Sequence, residues 1–124
     1  MANPRPTSPH LQIYKLPLSG LNSISHRITG VFLSVGLIGV VYILWAISGG
    51  ITAYQNLQTV MNLGVVQVLY WGFIYALFFH LCHGVRHLLW DMVKGFERDT
   101  LNRYAILEIV VALLLTLFTF VITG

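Results

Sequence analysis

Between Ile28 and Val85 the chain carries no Asp, Glu, Lys or Arg. No water-soluble fold of ordinary composition keeps so long a stretch free of charge, whereas the hydrocarbon of a bilayer demands it. The rest of the composition agrees: of 124 residues, 56% are hydrophobic and 9% charged. A membrane-crossing helix needs about 20 predominantly apolar residues. Three stretches qualify, at residues 28–48, 63–89 and 104–123. The expected fold is therefore an all-α membrane protein. It is read as a single domain over 1–124, with three transmembrane helices at about 21–50, 62–92 and 103–123 behind an N-terminal arm over 1–20. So little chain remains outside the bilayer that work on a water-soluble substrate would need a partner subunit.

Basic residues set the expected orientation. Arg5, Lys15 and Arg27 precede or open the first span, and Arg86, Lys94, Arg98 and Arg103 surround the second connection. The first connection, 49–62, and the C-terminus have none, so the positive-inside rule predicts a cytoplasmic N-terminus. The formal charge of +3 describes that one face. No stripe of basic and aromatic residues suits nucleic acid. All four prolines, Pro4, Pro6, Pro9 and Pro17, lie in the arm, which predicts an extended path along headgroups or a soluble partner. Leu11, Ile13, Tyr14, Leu16 and Leu18 make it too apolar for a solvated tail. No signal-peptide core precedes Arg27, and the first apolar run is too long to be one, so that run is expected to stay as an anchor.

The first helix is expected to begin after Gly20, with Ser19, Asn22 or Ser23 as its cap. Ser23 and Arg27 are one turn apart with His26 beside them. A cation at the positive end of a helix dipole is best placed when an anion or polar ligand oxygen is near; the alternative is an arginine that snorkels to lipid phosphate. Gly30, Ser34, Gly36 and Gly39 offer a small-residue surface for another helix.

The second span carries the chemistry. At 100° per residue, His80, Gly84, His87 and Asp91 share a narrow stripe, flanked by His83 and Arg86. Imidazoles at membrane depth are costly and are usually retained for function. One such function is ligation of haem iron by His80, the glycine one turn on leaving room for a flat macrocycle. The alternatives are hydrogen-bonded histidines that tie the bundle together and, for Asp91, an interfacial ion pair with Arg86 or His87. Axial ligands approach iron from opposite faces, so His80 and His83, on one helix, cannot both bind one iron. His26 is expected near the cytoplasmic edge, with His80 roughly 15 Å above the end of its helix, so their heights are not expected to match. His26 with His87 is the competing intrachain pair. Otherwise the second ligand to a haem on His80 comes from another polypeptide, with His26, Arg27 and His87 as candidate contacts for the propionates or for nearby polar groups. Glu108 and Asp91 are expected near the cytoplasmic edge, and Cys82 as small packing inside an apolar helix.

Three segments together resemble a family: Arg5-Pro-Thr-Ser-Pro-His10-Leu-Gln-Ile-Tyr14, Ser23-Ile-Ser-His26-Arg27-Ile-Thr-Gly30, and His80-Leu-Cys-His-Gly84-Val-Arg86-His87-Leu-Leu-Trp-Asp91. In order, spacing and three-helix plan they are similar to the cytochrome b556 membrane-anchor subunit of succinate dehydrogenase. The resemblance implies that His80 is an axial ligand of haem b shared with a second membrane-anchor subunit, and that Ser23 and Arg27 line a ubiquinone site. It implies further partners, an iron-sulfur subunit and a flavoprotein subunit, and no contact of this chain with succinate. His83 stands where relatives vary, and no role is carried to it. A bacterial cytoplasmic membrane is the expected location, ahead of a mitochondrial inner membrane. Two other readings remain: a non-redox packing or proton-relay subunit, which would want acidic residues deep in the bundle, and a stand-alone b-type cytochrome.

Overall fold

The computed structural model describes residues 15–92 and 97–124. Most of the arm, residues 1–14, and Lys94 in the second connection lie outside the described residues. Four helices follow one another: α1 (Leu18–Ser48), α2 (Ile51–Met61), α3 (Gly64–Asp91) and α4 (Arg98–Thr123). Helices α1, α3 and α4 are each long and apolar enough to cross a bilayer. With the backbone donors and acceptors along each span's interior paired inside its own helix, this is the architecture that hydrocarbon permits.

Helix α1 starts earlier than its sequence suggests. Pro17 occupies the cap position in an extended conformation, and its carbonyl accepts from the Gly20 and Leu21 amides at 2.9 and 3.1 Å. No side chain among the described residues caps this end. Asn22, a candidate cap, is instead 3% exposed and turned into the bundle. The first connection also differs from a simple loop: residues 51–61 wind into α2, entered through Gly50 at φ 86°, a left-handed conformation that glycine adopts without a Cβ clash.

Helix α3 packs between α1 and α4. Its contact with α1 runs through glycines: a Cβ added to Gly30 would stand 3.2 Å from His80 Cε1, and one added to Gly36 would collide with the Phe73 ring. Alanines are among the few fully buried apolar residues of the bundle, with Ala76 on α3 and Ala105 and Ala112 on α4 all buried. Small residues let helix backbones approach closely where water supplies no hydrophobic drive. Most large apolar side chains face outward, among them Val31, Ile38, Val65, Leu88, Leu114 and Val121. Several serines and threonines on the spans return their hydroxyls to carbonyls of their own helix, as Ser34 does to Gly30 and Thr116 to Ala112, each at 2.8 Å.

Candidate functional site

Four imidazoles converge where α1 meets α3. The His26 and His80 rings stack with centroids 3.9 Å apart and planes 13° apart. His26 also lies 4.6 Å from His83 and 6.2 Å from His87, and His83 meets His87 edge to face at 5.2 Å. The expected mismatch in height between His26 and His80 is thereby overturned. The early start of α1 puts His26 roughly 12 Å along its helix, against roughly 17 Å for His80 measured back from Asp91, a difference that side chains span.

Thr29 joins this cluster. Its hydroxyl donates to the His26 carbonyl at 2.9 Å, and its Oγ1 lies 3.3 Å from His80 Nδ1. His80 Nε2 makes no hydrogen bond among the described residues. One turn along α3, a Cβ on Gly84 would meet nothing within 4 Å, so that side of the helix is open. His26 Nδ1 and His83 Nε2 are buried without a protein partner among the described residues.

A second polar group sits behind the first, at the junction of all three spans. Glu108, 5% exposed, accepts from His83 Nδ1 at 3.0 Å and Asn22 Nδ2 at 2.9 Å on one oxygen, and from Arg86 Nη1 at 2.6 Å on the other. Asn22 Nδ2 also donates to the Ala105 carbonyl at 2.9 Å. The alternative of an ion pair between Arg86 and Asp91 fails here. Glu108 is buried within the bundle, on the face of α4 that packs on α3. Arg86 pairs with Glu108, not Asp91, and packs its guanidinium 4.4 Å above the Trp90 ring. Asp91 is exposed and forms no ion pair among the described residues. Compensation by three donors is what makes a buried carboxylate tolerable.

Ser23 is half-buried and Arg27 exposed on the early turns of α1, and neither side chain is engaged in a hydrogen bond among the described residues. His87 is exposed on α3. A cavity of about 430 Å³ opens elsewhere, between α3 and α4, lined by Cys82, Arg86, Tyr104, Leu107 and Glu108; Ser23, Arg27 and His80 take no part in it. Cys82 is half-buried there. Sequence reasoning missed Thr29, Asn22 and Glu108 as members of the site. A signal existed for Glu108, the lone charge within an otherwise apolar third span, since acids at membrane depth are rarely incidental.

The fold and this site together define a polytopic helical membrane subunit with a histidine-rich core at one end of its bundle. The chain belongs to the succinate dehydrogenase/fumarate reductase transmembrane subunit family, whose model matches residues 1–120. It is 40% identical over 123 residues to the succinate dehydrogenase cytochrome b556 subunit of Rickettsia felis, an alignment covering 96% of this chain and 93% of the relative. The cytochrome b556 subunit of Paracoccus denitrificans is 33% identical, covering 95% and 91%. The mitochondrial cytochrome b560 subunit of Dictyostelium discoideum is 36% identical over 94% of this chain and 62% of its own length. Membership is among the membrane subunits of this enzyme family, not the subunit that oxidises succinate.

Proposed function

We propose that this chain is a membrane anchor of a succinate:quinone oxidoreductase, that His80 supplies one axial ligand to haem b, and that Ser23 and Arg27 form part of the site where ubiquinone is reduced. The observation that carries the haem reading is the setting of His80. Its Nδ1 is engaged by Thr29, its Nε2 is left without a partner among the described residues, and the helix surface one turn away at Gly84 is open. One nitrogen held and the other free is how a metal-binding imidazole is presented. Haem brings its own ring nitrogens to the iron, so a single presented imidazole from this chain would be enough to hold it from one side.

A second membrane-anchor subunit would supply the other ligand to the iron. An intrachain pair of His26 and His87 would need the macrocycle to pass between α1 and α3. Those helices pack directly there, and the His83 ring lies against both partners. The buried His26 Nδ1 and His83 Nε2, without partners among the described residues, are suited to a carboxylate or water near the cofactor. Arg27 and His87 stand beside them as further contacts for propionates.

Bound in this position, haem b supplies a one-electron redox centre. The chain itself binds and orients the quinone. The Ser23 hydroxyl and the Arg27 guanidinium donate to a quinone carbonyl oxygen and stabilise the negative charge that develops there as electrons arrive from the iron-sulfur subunit. A flavoprotein subunit completes the complex and oxidises succinate. The N-terminus and the connection between α3 and α4 face the cytoplasm of a bacterium, and the protein is multi-pass in the cytoplasmic membrane.

The proton-relay reading is favoured by Glu108, the one buried acid among the described residues. Its two oxygens are, however, already taken by three fixed donors, which suits an anchor between helices better than a carrier. The test is a reduced-minus-oxidised absorption spectrum of the complex purified in mild detergent, from wild type and from H80A. A b-type band that vanishes in H80A is expected. Absence of the band in the wild type, or its persistence in H80A, would refute the proposal.

A further inference from the structure

We infer that Thr29 is a positioning residue that fixes the tautomer of His80 and thereby sets the donor strength of its Nε2. A hydroxyl has a single hydrogen, and that of Thr29 is committed to the His26 carbonyl at 2.9 Å. Toward His80 Nδ1, 3.3 Å away, Oγ1 can therefore only accept. The proton on the imidazole must then be on Nδ1, and the lone pair on Nε2.

The same threonine also sets direction. Its hydroxyl is held by a backbone carbonyl three residues earlier on its own helix, so the acceptor presented to His80 is as rigid as α1 itself. Gly30 follows immediately and lets the imidazole close to 3.2 Å from where a Cβ would stand. The ring is thus confined between His26 on its face, Thr29 at Nδ1 and Gly30 at Cε1, with Nε2 as the remaining polar atom. An Nδ1–H hydrogen bond raises the basicity of the opposite nitrogen, and a more basic axial ligand favours ferric over ferrous iron. Loss of the acceptor should accordingly make the haem easier to reduce.

This inference rests on His80 being a haem ligand, and the experiment separates the two. T29V, which keeps the shape and removes the acceptor, and T29S, which keeps the acceptor, are compared with wild type in the intact, detergent-purified complex. The readouts are haem content and midpoint potential by redox titration, alongside H80A. The expected result is a more positive potential in T29V, or loss of haem there, with T29S like wild type. If T29V and T29S behave alike, whether both normal or both impaired, the hydroxyl has no such role and the inference falls. Haem retained in H80A overturns the ligand assignment itself. Haem lost in H80A, with T29V and T29S indistinguishable, removes Thr29 alone.

Discussion

Asn22 and Glu108 are separated by 86 residues of sequence, yet their side chains share a 2.9 Å hydrogen bond that fastens the first span to the last. His83 and Arg86 reach the same carboxylate from the middle span. One acid thus records the mutual register of all three membrane-crossing helices.

Replacement of that acid by an apolar residue should be strongly destabilising. E108L leaves the Arg86 charge buried without its counter-ion, a loss on the order of 3–5 kcal/mol. E108Q, which retains acceptor capacity, should cost less. Thermal unfolding of the complex in detergent measures both. An E108L complex as heat-resistant as wild type would mean that the three donors find other partners.

Close approach of α1 and α3 depends on Gly36 lacking a side chain. In G36A the new methyl meets the Phe73 ring, so overpacking should cost about 1–3 kcal/mol. F73L, by shortening the obstructing group, should restore much of the loss in the double variant. Yield and melting temperature of the assembled complex report this, and simple additivity of the two changes would argue against direct contact.

Gly30 bears on the imidazole itself. A methyl 3.2 Å from His80 Cε1 must push the ring by a few tenths of an ångström, so G30A should lower haem content or shift the absorption bands of the complex. G39A, on the same helix but in open space, is the control and should leave the spectrum as it was. Equal spectra for all three proteins would show that the ring yields freely.

Removal of the Arg27 guanidinium should affect quinone, not haem ligation. A charge-assisted hydrogen bond contributes about 1.5–3 kcal/mol, so R27A should reduce kcat/KM for quinone roughly 10- to 100-fold. The absorption band attributed to His80 ligation should remain. Steady-state kinetics with a soluble ubiquinone analogue, together with the spectrum, make the comparison. Unchanged kcat/KM would exclude Arg27 from the site.

Much of this protein is decided by local sums along the chain. The run from Ile28 to Val85 without charge, and the apolar stretch around Glu108, are enough to require three helices across a bilayer, because hydropathy over about 20 residues needs no knowledge of neighbours. The polar stripe of His80, Gly84 and His87 follows from helical period alone. Other features were closed to that kind of reading. Pro17 takes the cap position while Asn22 turns inward, Glu108 is buried, Arg86 chooses it over Asp91, and His26 stacks on His80. Each depends on how far one helix is slid and rotated against another. That register is set by glycine and alanine contacts between residues remote in sequence, where one turn of slippage moves a side chain by about 5 Å and exchanges its partners.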